Sequence, residues 1–261
     1  MSDELYDKWK ETQLNWDDSE FLEKKATPFM KIKWQRINKT VIHILEEEVI
    51  KKNEYLDLLD FGAGRGDFYK EIQGMVKKYT GIEPSEKMLK EEIIQDDFKL
   101  IHGNAEEFSE KESYDVCLLK EVLDHCYEPE KVIKNGFEAL KDDGLLIVTL
   151  TNKNAYYKRM FKRWAKKIEK SHEDHLFNFS PAEVTDLMQK AGFSIEENIS
   201  LNYLKLPVFL ENFTGSFSSA VVNFFMEITD NFLKIFLKEK GGSFILTGRK
   251  NHIEMTNEDR Y

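Results

Sequence analysis

The chain is poor in cysteine, and its 261 residues hold only Cys117 and Cys126. Cys117 lies in an apolar run that reads as a buried strand, so no bridge to Cys126 is expected and both read as structural thiols behaving as small hydrophobes. No stretch approaches ~18 uninterrupted apolar residues, which excludes a transmembrane helix, and no charged start leads into an apolar signal core. The expected habitat is therefore the reducing cytoplasm. Positive charge is in deficit: the net charge of −10 makes nucleic acid an unexpected partner for the surface as a whole. Internal repeats and low-complexity tracts are absent.

What is present points to one α/β domain with an attached lid, at a length short for two independent domains. The hydrophobic fraction is 41%, and an aromatic fraction of 13% argues against disorder. Residues 1–53 read as a helical cap carrying Tyr6, Trp9, Trp16, Phe21 and Trp34 among charges, with a helical period through Trp34, Ile37, Val41, Ile44, Leu45 and Val49. Residues 54–152 alternate short apolar runs, at 55–61, 79–83, 99–102, 114–119 and 145–149, with helix-period stretches at 68–77, 86–94 and 129–140. That spacing implies βαβ units, a parallel sheet and helices on both faces. Residues 153–250 complete the same domain with a basic amphipathic segment at 153–170, a helix at 182–191 closed by Gly192, a strand at 195–201, an aromatic stretch at 208–237 and a last strand at 243–248. Residues 251–261 read as a polar tail, frayed as chain ends usually are.

The densest chemical signal is Asp60-Phe61-Gly62-Ala63-Gly64-Arg65-Gly66 at the end of an apolar run. Glycines at alternate positions let the backbone bend sharply and let a ligand lie directly against it. In dinucleotide folds the third glycine falls one position later and the helix that follows faces a pyrophosphate. The spacing here, with an acid before the first glycine, suits a ligand with an amino acid moiety and a positive sulfonium better than one with two phosphates. Glu83 ends the next apolar run, and a carboxylate at the end of a second strand can accept hydrogen bonds from both hydroxyls of a ribose.

With these residues the chain resembles the class I S-adenosylmethionine-dependent methyltransferases, in particular the small-molecule group that includes the ubiquinone and menaquinone enzymes. The likeness runs from about Leu56 to Thr151 and more weakly to Lys250. It implies a Rossmann-like doubly wound, mostly parallel seven-stranded sheet with N-terminal helices and a helical lid or insertion. It also implies S-adenosylmethionine as cofactor, S-adenosylhomocysteine as product and a small-molecule or lipid-like acceptor. The resemblance carries cofactor contacts onto Asp60, Gly62, Ala63, Gly64, Gly66, Glu83, Pro84, Met88, Asn104, Ala105 and Lys120. Met88 matches a residue that packs on adenine. Gly103-Asn104-Ala105-Glu106 stands where Gly-Asp-Ala-Glu is usual, Asn keeping a carbonyl acceptor without the charge. Tyr114–His125 matches the fourth strand and the turn beside the methionine end. Asp143 stands where the family more often has glycine.

Methyl transfer is an in-line displacement, and alignment alone can supply about 7–11 kcal/mol. A base is needed only for an unactivated acceptor; His125, after the fourth strand, and His175 are the candidates, each also readable as structural. A zinc site from His172 and His175 lacks further ligands, so no metal is expected. The segment 153–170 holds Lys153, Lys158, Arg159, Lys162, Arg163, Lys166, Lys167 and Lys170 against one acid, Glu169. It reads as a solvated lid, or as a contact for an anionic acceptor or a membrane surface. The stretch 208–237 reads as a cover over an apolar acceptor pocket, shared with a second subunit in a homodimer. By analogy with the quinone methyltransferases, the resemblance also offers Arg36 for the methionine carboxylate. Two other readings are a nicotinamide-dependent oxidoreductase, disfavoured by the glycine spacing, and a non-catalytic S-adenosylmethionine-binding module.

Overall fold

The computed structural model describes residues 3–17, 26–89, 91–160 and 176–251. One eight-stranded sheet organises them, formed by β1 (Leu56–Phe61), β2 (Val76–Glu83), β3 (Ile93–Ile94), β4 (Phe98–His102), β5 (Tyr114–Lys120), β6 (Leu140–Thr151), β7 (Phe193–Leu201) and β8 (Ser243–Lys250). Their order is β3-β4-β2-β1-β5-β6-β8-β7. Strands β4, β2, β1, β5 and β6 pair in parallel, while β8 runs antiparallel between β6 and β7. The order reverses at β1, so a crevice opens beyond the carboxyl ends of β1 and β5, the place where doubly wound sheets bind ligands.

The sheet has one strand more than the seven expected, and the extra one explains a misread helix. The helical period at 86–94 ends instead in β3, two exposed isoleucines paired antiparallel with Leu100 and Lys99. Ser85 Oγ accepts from the N–H of both Lys87 and Met88, which closes a single turn rather than starting a helix. The stretch 68–77 is likewise mostly not helical. Only α3 (Tyr69–Ile72) forms, because Val76 already pairs with Leu56. Strand β6 begins at Leu140 and turns through Asp143 at φ 59°, a left-handed conformation that explains why glycine suits that position.

Helices α1 (Asp3–Leu14) and α2 (Pro28–Lys52) come before the sheet. Thr27 caps α2 by accepting from the Met30 N–H at 3.1 Å, with Pro28 in the first turn. Ile37, Val41, Ile44 and Leu45 of α2 pack on Leu58, Val116, Leu118 and Ile147 from one face of the sheet. Against the other face, α4 (Pro129–Ala139) and α6 (Pro181–Ala191) bury Val132, Ile133, Val184 and Met188 on Phe61, Leu119 and Val148. Ser180 and Glu183 form a reciprocal capping box at the start of α6, and Gly192 ends it at φ 106°. Cys117 and Cys126 are both buried and unbridged.

A short helix, α5 (Tyr156–Met160), follows β6. Between β7 and β8 lie α7 (Val208–Phe213), a 3₁₀ turn (Thr214–Ser216) and α8 (Ser219–Leu237). Among the described residues no helix is long and apolar enough to cross a membrane.

Candidate active site

Every parallel strand that borders the crevice contributes its carboxyl end to a single cavity of about 960 Å³. From β1 come Asp60 and the bend Gly62-Ala63-Gly64, from β2 Glu83 and Pro84, from β4 His102 to Ala105, from β5 Lys120 to Val122, and from β6 Thr151. Gly62 and Gly64 have φ of 71° and 58°, where an L side chain is strained. A Cβ at Gly62 would come within 2.3 Å of Val122 Cγ2. The bend is tied to β2 at both levels: the Gly62 N–H donates to the Ile82 carbonyl at 2.8 Å, and the Gly64 N–H donates to Glu83 Oε2 at 2.8 Å. Glu83 Oε1 accepts from the Ser85 N–H, which fixes the carboxylate from its other side.

Asp60 is buried at the floor. Its Oδ2 accepts from the Tyr79 hydroxyl at 2.6 Å, while its Oδ1 is buried with no partner. Burial pushes its carboxyl up to about 6, against the opposing pull of Lys120 and the Tyr79 bond. Lys120 stands 4.0 Å above the Phe68 ring and 3.4 Å from Asn38 Oδ1, and burial lowers its ammonium below the usual lysine range.

Ten of the eleven sequence-derived cofactor contacts line this cavity: Asp60, Gly62, Ala63, Gly64, Glu83, Pro84, Met88, Asn104, Ala105 and Lys120. Gly66 stands apart from it. A Cβ there would press on the Phe98 ring at 3.2 Å, so the third glycine packs the turn against β4. The Asn104 side-chain carbonyl already accepts from the Glu106 N–H at 3.0 Å. His125 lines the cavity; His172 and His175 lie outside the described residues, as does most of the basic segment from residue 161 onward. Among the described residues no group of three or more His, Cys, Asp or Glu is placed to hold a metal ion.

The N-terminal helices form the opposite wall with Tyr6, Trp9, Trp16, Met30, Trp34 and Ile37. Four contacts seat α1 and the turn after it: Trp9 Nε1 donates to the His125 carbonyl at 2.6 Å, the Glu86 N–H to the Leu14 carbonyl at 3.1 Å, Ser85 Oγ to the Trp16 carbonyl, and Arg65 to Asp17 at 2.8 Å. The cavity is thus aromatic on one side and carries backbone donors and carboxylates on the other.

Sequence reasoning passed over Glu121, which lines the cavity one residue after β5 with φ at 57°. A non-glycine residue in that region is strained, and such strain concentrates at functional positions. Thr149 Oγ1 donates to Glu121 Oε1 at 3.3 Å. Burial first, then the charge of Asp124, push its carboxyl up to about 8, with Lys120 and Lys33 opposing. The left-handed φ had no signature in the sequence, since nothing marks a Lys-Glu-Val run as bent.

Two expectations are corrected. Arg36 turns away from the cavity and pairs with Asp230 at 2.8 Å, both largely buried. The stretch 208–237 does not cover the cavity as expected, because none of its described residues lines it. Val222 and Met226 of α8 pack instead on Phe29 and Ile32 of α2, and the Arg36–Asp230 pair holds the helix there.

A family model described as a methyltransferase domain matches residues 23–198 of this chain. The chain belongs to that family. Among curated relatives, this methyltransferase is 25% identical over 157 residues to a ubiquinone biosynthesis O-methyltransferase of Thiobacillus denitrificans, covering 56% of this chain and 68% of the relative. A ubiquinone biosynthesis O-methyltransferase of Hydrogenovibrio crunogenus is 22% identical over 176 residues, which cover 62% of this chain and 73% of the relative. Its fold is shared with the magnesium protoporphyrin IX methyltransferase of Synechocystis, whose structure holds S-adenosylhomocysteine, at a TM-score of 0.56, 15% identity and 95% coverage of both chains. A Thermotoga maritima S-adenosylmethionine-dependent methyltransferase, described as a possible histamine N-methyltransferase, aligns at a TM-score of 0.53 and 22% identity over 84% of this chain and 93% of that one.

Proposed function

We propose that this methyltransferase binds S-adenosylmethionine between the glycine bend and Glu83 and methylates a small planar acceptor resting on the aromatic wall. One observation carries the reading: the 2.8 Å bond from the Gly64 N–H to Glu83 Oε2 makes bend and acid two parts of one edge of the cavity. The residues fit the cofactor. A side chain at Gly62 would collide with Val122, so only bare backbone faces a ligand there. The partnerless Asp60 Oδ1 is an acceptor suited to the cofactor's ammonium group. A carboxylate oxygen can accept more than one hydrogen bond, so Glu83 can add a ribose diol to its backbone contacts. Met88, Pro84, Asn104 and Ala105 would then surround the adenine, and Lys120 with Asn38 the methionine end.

When bound, S-adenosylmethionine supplies a methyl carbon activated by its positive sulfur, so the chain's own task is alignment and exclusion of water. Tyr6, Trp9, Trp16 and Trp34 offer flat faces for an aromatic acceptor. For an acceptor that must lose an O–H or N–H proton, Glu121 is the base we assign. Its neighbours are Asp124 and His125 on the same turn, Thr149 and Lys120 on the flanking strands, and Lys33 on α2.

A complex with S-adenosylhomocysteine should show the ribose on Glu83 and the sulfur facing Trp34 and Glu121; density elsewhere would overturn the reading. Glu121→Gln should lower kcat/KM by ~10²–10⁴-fold and remove the limb that rises as pH passes about 8, with product affinity unchanged. An unchanged pH profile removes Glu121 as the base. Stability has the opposite pH dependence. The folded carboxyl keeps its proton to about 8 while the unfolded one loses it near the ordinary 4.5, so Glu121 contributes most below 4.5 and that contribution is lost as pH rises through 8. The Gln variant, which cannot ionise, should gain melting temperature relative to wild type across that window.

A further inference from the structure

The largest feature unused by the active site is the outer face of α8. Val221, Phe224, Phe225, Ile228, Phe232, Ile235 and Phe236 are 44–71% exposed, and Leu210, Phe213 and Phe217 extend the patch through α7 and the 3₁₀ turn. A phenylalanine buries about 150–250 Å² when covered, so these six, with four aliphatic side chains, leave on the order of 1,000 Å² of apolar surface open. Monomeric proteins rarely expose more than about 300–600 Å² in one patch. A stable dimer needs about 800 Å² from each partner.

We infer that this face is an interface between two copies of the chain, with their α8 helices packed antiparallel. Three observations select a second copy as the occupant. The area matches what a dimer requires. Val221, Phe225, Ile228, Phe232 and Ile235 recur at spacings of four, three, four and three, the seam that one helix presents to another. The stripe itself carries no charge, so two copies can meet along it without burying one. A two-fold contact sets residue i against j and j against i, so antiparallel pairing lays the apolar seam of one helix along the same seam of the other. An anionic lipid surface is the poorer partner, because the exposed charges from Glu227 to Lys240 are three lysines against two glutamates on a chain of net charge −10.

The full-length chain should sediment as a dimer that dissociates on dilution. Ile228→Glu should yield a monomer at the same concentration, still folded by circular dichroism and still binding S-adenosylhomocysteine, because the residue is exposed and remote from the cavity. Phe225→Glu, on the same seam, should dissociate the dimer likewise, whereas Glu227→Lys, on the side of the helix away from the seam, should leave it intact. A wild type that stays monomeric at all concentrations overturns the inference, as does a dimer that survives both Ile228→Glu and Phe225→Glu. Flotation of the monomer with phosphatidylglycerol vesicles, lost in Ile228→Glu, would instead assign the face to lipid.

Discussion

Helices α1 and α8 are both rich in aromatics, yet one lines the cavity at the candidate active site and the other faces outward. Trp9 of α1 is 7% exposed, with its ring against Tyr6 and Tyr127 and its N–H on the His125 carbonyl. Phe225 and Phe232 of α8 are each 61% exposed. Tryptophan has an apolar body and a polar handle, so it can be fixed to a backbone carbonyl at the rim of a cavity that also holds water or ligand. Phenylalanine has no handle, and only another apolar surface satisfies it. Aromatic content therefore announces contact without naming the partner.

Helix α2 stands between the two regions, with Met30, Trp34 and Ile37 toward the cavity and Phe29, Ile32 and Arg36 toward α8. Substitutions on either side should separate their effects. The largest is expected at Asp230, whose carboxylate accepts from Arg36 and from the N–H groups of Asn202 and Tyr203. Asp230→Ala leaves a buried guanidinium uncompensated and should cost about 3–5 kcal/mol of stability in a denaturant titration, with cofactor affinity of the folded fraction intact. A matching loss of affinity would mean that α8 supports the cavity after all.

The converse variant is Glu83→Ala. It should weaken S-adenosylmethionine binding by about 1.5–3 kcal/mol, the usual cost of lost bonds to a charged group; unchanged affinity by calorimetry would remove Glu83 from the site. Gly62→Ala comes next, at about 1–2 kcal/mol for the left-handed conformation, read as a lower melting temperature together with weaker binding. The smallest effect belongs to Phe232→Ser, which should change monomer stability by less than about 0.5 kcal/mol and leave binding untouched. A larger loss would show that the outer face of α8 supports the monomer.

The glycine-and-acid edge of the cavity was legible because its signals are local. A bend that requires positive φ demands glycine at fixed spacing, and a strand that ends in Glu83 must present that acid at the sheet's carboxyl edge. The parallel core followed from alternating periods, and Gly192 marked the end of α6. Errors fell where a period of three or four was too short to be decisive: the charged turn at 86–94 gave its isoleucines to a sheet edge, and the run at 68–77 gave Val76 to β2. Arg36 was misassigned because its partner, Asp230, is 194 residues away.

From the sequence alone came the glycine bend, the acid at 83, the alternation of strands and helices outside 68–77 and 86–94, and an aromatic surplus in two places, all properties of neighbours along the chain. Tertiary structure alone decided that Trp9 covers the cavity, that Glu121 is held in a left-handed bend where burial raises its carboxyl, and that the phenylalanines of α8 point outward. Those depend on which distant surfaces meet, and burial and electrostatic environment exist only once they have met.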